Sequence, residues 1–108
     1  MTTLSDDLKA CIDACNECVT AANVCLSEHL GEEAMARCLE LCLDCTDLCT
    51  ACVQMMARDS DYAARVCGIC ADLCQACADE CATFDSPSCQ ACAEACRRCA
   101  ERCREMAA

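Results

Sequence analysis

The chain has 108 residues, nineteen of them cysteine, and a formal net charge of −11. That charge repels phosphate backbones and excludes nucleic acid as an expected partner, and no apolar run is long enough to cross a bilayer. With only Tyr62 and Phe84 as aromatics, two glycines and one proline, the composition argues against sheets and for long helices on an alanine-rich background. The length suits a single domain, residues 1–108, with one core. Branched aliphatics are few, so a metal-free fold of only moderate stability is expected.

Ser5 followed by Asp6 and Asp7 predicts the start of a first helix, its acids lying against the positive end of the dipole. This helix carries Cys11, Cys15, Cys18 and Cys25, and Gly31 after His29 and Leu30 predicts its stop. A second helix is expected from about Glu32 to Ala57, carrying Cys38, Cys42, Cys45, Cys49 and Cys52. Asp59-Ser60-Asp61 ends the connection and predicts the cap of a third helix, with Cys67, Cys70, Cys74, Cys77 and Cys81. Ser86-Pro87 places proline at the first position of a fourth, which holds Cys89, Cys92, Cys96, Cys99 and Cys103. Four such helices with short connections predict an all-α fold, an antiparallel up-down-up-down four-helix bundle.

Spacings within each train are only three, four or seven, the inward-facing heptad pattern. In this register the outermost positions read Asp13, Thr20, Ser27, Glu40, Asp47, Gln54, Asp72, Asp79, Glu94 and Glu101, all polar. Stacking the antiparallel helices gives five layers. From one end these are Cys25/Cys38/Cys81/Cys89, Ala22/Cys42/Cys77/Cys92, Cys18/Cys45/Cys74/Cys96, Cys15/Cys49/Cys70/Cys99 and Cys11/Cys52/Cys67/Cys103. Ala22 alone interrupts a thiol-lined tube. Beyond the Cys11 layer lie Leu8, Met56, Ala63 and Met106, a mainly apolar plug. Beyond the Cys25 layer lie His29, Met35, Phe84 and the loop near Asp85, and this end is the expected metal entrance.

Cysteine as a small core hydrophobe offers no packing advantage over alanine or valine. Disulfides between helical neighbours are too wide, since Cβ atoms three or four residues apart are ~5–6 Å distant. Cross-helix bridges remain open, although an odd cysteine count and a reducing setting oppose them. Seven CxxC pairs suggest redox exchange, but a redox CxxC sits at a helix N-terminus and most of these lie mid-helix.

Charge discriminates among metals. Cu(I) is soft, thiophilic and content with two or three sulfurs, so bridging thiolates match it one to one, a limit of ~20 ions with a nearly neutral core. Zinc in four-sulfur layers would bring five divalent ions and leave roughly nine buried negative charges, each costing several kcal/mol. Partial zinc loading with the remaining thiols protonated stays as the alternative, alongside a general soft-metal buffer and a thiol redox protein. Silver satisfies much of the same chemistry. Iron–sulfur clusters, commonly wrapped from loops, fit a continuous helical lining poorly.

The trains CIDACNECVTAANVC, CLELCLDCTDLCTAC, CGICADLCQACADEC and CQACAEACRRCAERC resemble, over essentially the whole length, the cysteine-rich four-helix-bundle copper storage proteins of bacteria, specifically their cytosolic branch. The resemblance implies storage of many Cu(I) ions along the bundle axis, the nineteen cysteines as ligands, no enzymatic activity, and a homo-oligomer, commonly a tetramer of bundles. A copper chaperone is the expected donor. Cytosolic relatives often place histidines near the mouth, whereas the FDSPSC stretch here has none. The opening stretch MTTLSDDLKACID has neither a basic region leading into an apolar one nor twin arginines, so the expected location is cytoplasmic.

Individual residues carry further expectations. His29 either ligates at the entrance or sits exposed at its helix C-terminus, favoured by the dipole. Met35 either passes Cu(I) inward or fills a gap; Met55, Met56 and Met106 are read as plug. Cys89 lies in the first turn of its helix, where unpaired N–H groups favour an anion, and is the expected early capture ligand or simply the top rung. Ala22 is either drift or a space-maker in a crowded layer. Val24, Leu43 and Ile69 should be partly exposed, as ordinary surface residues or a bundle–bundle contact. Arg97, Arg98, Arg102 and Arg104 suit the C-terminal half of their helix, or an acidic partner.

Overall fold

The computed structural model describes residues 4–108. Helices α1 (Asp6–His29), α2 (Ala36–Ala57), α3 (Ala63–Cys81) and α4 (Pro87–Ala107) follow in chain order, with a 3-10 turn, Glu33–Met35, leading into α2. Each packs on its chain neighbour and α1 closes against α4, giving the up-down-up-down bundle, 45 × 21 × 18 Å. Among the described residues, no helix is long and apolar enough to cross a membrane.

Local chemistry sets the boundaries. Ser5 caps α1, its Oγ accepting the Leu8 N–H at 3.2 Å. Gly31, at φ +90°, supplies the left-handed turn that ends the first arm. The second helical arm opens differently from its expected start at Glu32. Its first turn is 3-10, with the Met35 N–H donating to the Glu32 carbonyl at 3.0 Å. That tighter winding reverses the chain immediately after Gly31.

The cap expected from Asp59-Ser60-Asp61 is a correction. Helix α3 starts at Ala63 with Tyr62 before it and no side-chain cap. Asp59, at φ +54°, instead terminates α2. Its N–H donates to the Met56 carbonyl (3.1 Å), and the Ser60 N–H reaches back to the Met55 carbonyl (2.9 Å). This is a Schellman arrangement, with aspartate in the left-handed position usually given to glycine. Ser60 then turns the chain onward, its Oγ accepting the Tyr62 N–H.

The register is confirmed face by face. All ten predicted outermost residues are exposed, and every cysteine is buried. Ala14, Ala71, Ala78, Ala93, Ala95 and Ala100 are buried beside the thiols, and their small size lets the helices approach closely. Large buried aliphatics are confined to Leu39, Leu41 and the two methionines Met35 and Met56 among the described residues. Val24, Leu43 and Ile69 are exposed, as the register placed them.

A Cβ added at Gly31 would meet nothing within 4 Å, so Gly31→Ala tests the backbone alone. It is expected to lower the stability of the reduced, metal-free bundle by about 1 kcal/mol, read as a lower urea midpoint at unchanged slope.

Candidate metal centre

All nineteen cysteines are free, and the sulfur contacts follow the predicted layers. In the first layer Cys38 and Cys81 lie 3.2 Å apart and Cys25 and Cys89 3.7 Å. In the second, Cys42 meets Cys92 at 3.8 Å and Cys77 at 4.0 Å. The third joins Cys18 to Cys96 (3.4 Å) and Cys45 to Cys74 (3.9 Å). In the fourth, Cys49 stands 3.6 Å from both Cys70 and Cys99, and Cys99 3.6 Å from Cys15. The fifth pairs Cys11 with Cys103 at 3.8 Å, and Cys52 and Cys67 complete it, fully buried.

The layers are also joined to one another. Cys77 and Cys81 (3.9 Å) link the first two, Cys92 and Cys96 (3.9 Å) the next two. Cys74 touches Cys49 and Cys70 at 3.7 Å, and Cys103 touches Cys15 at 3.8 Å. Inside the third layer Cys18/Cys96 and Cys45/Cys74 do not touch each other directly. The group Cys18/Cys49/Cys74/Cys99, with its sulfurs within 4.8 Å of one another, joins them, and at that spacing the sulfur file runs from the first layer to the fifth.

These spacings suit shared metal. A metal–thiolate bond of about 2.3 Å puts the sulfurs of a trigonal site roughly 4.0 Å apart and those of a tetrahedral one roughly 3.8 Å. Four-sulfur groups with all members within 4.8 Å of one another include Cys15/Cys49/Cys70/Cys99, Cys18/Cys49/Cys74/Cys99, Cys25/Cys38/Cys42/Cys81 and Cys42/Cys77/Cys81/Cys92. The first is the predicted fourth layer; the others mix adjacent layers. They overlap at Cys42, Cys49, Cys81 and Cys99. A structural zinc centre owns its four ligands, whereas shared sulfurs require bridging. Ala22, fully buried, puts a methyl where the second layer would hold a fourth sulfur.

Protonation follows from the crowding. Burial pushes the Cys25 and Cys38 thiols well above their ordinary value, and the charge of neighbouring thiolates pushes the same way. Cys92 is pulled down, because Cys42 and Cys77 donate S–H bonds to its thiolate. One thiolate among S–H donors is welcome; many together repel.

The two ends differ in chemistry. At the end of α1, the His29 side chain is only 14% exposed, its Nδ1 2.9 Å from Glu32 Oε2. Nε2 lies 2.9 Å from Ser86 Oγ and 3.2 Å from Ser88 Oγ, within hydrogen-bond distance of both. Sequence reasoning found His29 but not these serines. Ser86 stands at the N-cap position of α4 without capping it by its side chain, and its hydroxyl meets the histidine instead. Met35 is buried and Phe84 half-buried in the core beneath. At the opposite end Leu8, Met56, Ala63 and Met106 do come together, but around a space of about 210 Å³ that reaches Cys67.

The family model for copper storage proteins matches residues 1–108. The chain belongs to the copper storage protein family. Its fold superimposes on apo copper storage protein 3 from Bacillus subtilis with a TM-score of 0.88 at 45% identity, covering 93% of this chain and 98% of that one. A Cu(I)-bound copper storage protein gives 0.90 at 42% identity, covering 95% and 100%. A cytosolic copper storage protein from Streptomyces lividans, loaded with five coppers, gives 0.87 at 33% identity, covering 94% and 92%. No match is found among curated proteins.

For this copper storage protein the raised thiols set an alkaline limit on the empty form. Folded Cys25 and Cys38 hold their protons above 9.0, the ordinary thiol value, where the unfolded chain has lost them. The stability they contribute is complete below that pH and declines above it, by up to about 1.4 kcal/mol per pH unit for each such thiol. Urea unfolding of the reduced apo-protein across that range should show the decline, and the copper-loaded protein should not.

Proposed function

We propose that the chain is a Cu(I) store in which the nineteen cysteines, from Cys11 to Cys103, act as one set of bridging ligands within a single domain. The observation that carries this reading is a sulfur file through five layers, joined where direct contact lapses by four-sulfur groups that overlap. Each Cu(I) replaces a thiol proton, so the core stays near neutral as it fills. Metal that binds only the folded bundle adds to its stability. The reading is one of sequestration rather than catalysis.

His29 and Met35 are assigned to the entrance. Glu32 takes the Nδ1 proton in a hydrogen bond and leaves the Nε2 lone pair for a metal, the arrangement in which carboxylates support metal-bound histidines. Capture there requires Nε2 to leave the Ser86 and Ser88 hydroxyls. Cys89, one residue beyond Ser88 in the first turn of α4, is the next sulfur inward and takes the role of early capture ligand. The S. lividans relative is described as cytosolic, and we place this chain in the cytosol, with a copper chaperone as donor. The exposed Val24, Leu43 and Ile69 support a homo-oligomer of bundles.

Anaerobic titration of the reduced protein with Cu(I) against a competing chelator should saturate near ~20 ions, with about one proton released per ion. Saturation at a few ions, or tighter binding of Zn(II), would sink the storage reading. Ala22→Cys should add about one ion to the capacity. Replacing His29 by alanine and Met35 by leucine together should slow uptake severalfold at unchanged capacity; stopped-flow loading at parental speed would retire the entrance.

A further inference from the structure

The apolar plug at the end remote from His29 is not fully packed. The space of about 210 Å³ there is lined by Leu8, Asp59 and Ala63 together with three sulfur residues, Met56 of α2, Cys67 of α3 and Met106 of α4. A neighbouring cavity of about 260 Å³ shares Leu8, Met56 and Asp59 and extends to Leu4 and Ser5. Cys67, fully buried among the thiols of the fifth layer, is also one of the residues lining this space. Three residues that carry soft donors, from three helices, thus line one void at the end of the sulfur file.

We infer that Met56, Met106 and Cys67 form a mixed thioether–thiolate Cu(I) site, making this end a second mouth of the store. The inference rests on the Cu(I) storage reading. A thioether is a soft, neutral donor that suits Cu(I), which accepts three sulfurs. One thiolate balances one Cu(I), and the proton displaced from Cys67 leaves with the ion's shed ligands as copper enters. With two of three donors uncharged, the ion is held less tightly than between bridging thiolates farther in. Such a site exchanges copper with the outside faster than the interior does. Asp59, held at the rim by the Schellman turn, places a carboxylate beside the passage. At the opposite mouth, by contrast, the imidazole Nε2 is already engaged by hydroxyls.

The alternative is that the methionines only fill space, and leucine in their place distinguishes the two, because that exchange conserves volume. In protein labelled with methyl-13C methionine, the Met56 and Met106 methyl resonances should shift during anaerobic Cu(I) loading, while that of Met55 stays near its apo position. The double variant Met56→Leu, Met106→Leu should still develop the thiolate–Cu(I) band of the interior but surrender its Cu(I) to a soft chelator severalfold more slowly. Unmoved Met56 and Met106 methyls at full loading, or release from the variant at the parental rate, would overturn the second mouth. Loading itself is followed separately, by growth of the thiolate–Cu(I) absorption band. Absence of that band sinks the storage reading and the second mouth together; normal growth with still methyls sinks the second mouth alone.

Discussion

Nineteen thiols confined to one narrow core cannot all ionise, and most properties of the bundle follow from that. Their sulfurs lie 3.2–4.0 Å apart, where adjacent thiolates in a low-dielectric interior repel strongly. The empty protein therefore keeps most of its protons. A cargo must bring one positive charge for each proton it displaces, bind sulfur, and tolerate shared ligands. Cu(I) meets all three conditions. A divalent ion meets them only by leaving protons in place and ligands unshared, and the overlapping four-sulfur groups oppose the second.

The same crowding shapes the scaffold. Thiols at the inward heptad positions pack as small spheres, and alanines such as Ala71, Ala78 and Ala100 fill the flanks. Helices drawn so close leave little apolar volume for ordinary stabilisation. The helix ends are closed by local devices instead, Ser5, Gly31 and the Asp59 turn. Metal then adds the stability that a leucine core would have supplied from the start.

The bundle, the register and the membership of each layer were legible in the sequence because helical period alone places Cβ atoms on faces. What escaped depends on distances between helices or on competition between similar signals. Asp59 and Ser60 belong to residue types that both start and stop helices, and the backbone used them for the stop. Glu32 lies three residues from His29 and was within reach of local reasoning. Ser86 and Ser88 arrive from another helix, and nothing in the spacing announces that their hydroxyls point at an imidazole. The mixing of adjacent layers into four-sulfur groups reflects axial stagger between helices, to which a heptad count is blind. The void beside Cys67 escaped for the same reason: the pattern named Leu8, Met56, Ala63 and Met106 as plug without measuring what they enclose.

The outward acids, Asp13, Glu40, Asp47, Asp72, Asp79, Glu94 and Glu101, are all exposed and stand apart from the buried sulfur file. Exchange of a proton for a monovalent ion leaves the interior charge unchanged. The long flanks of the molecule thus present one electrostatic face to their surroundings whether the file is vacant or full. Solubility and any contact made through those flanks should be indifferent to load. A partner that must distinguish a full carrier from an empty one has only the two tips to inspect.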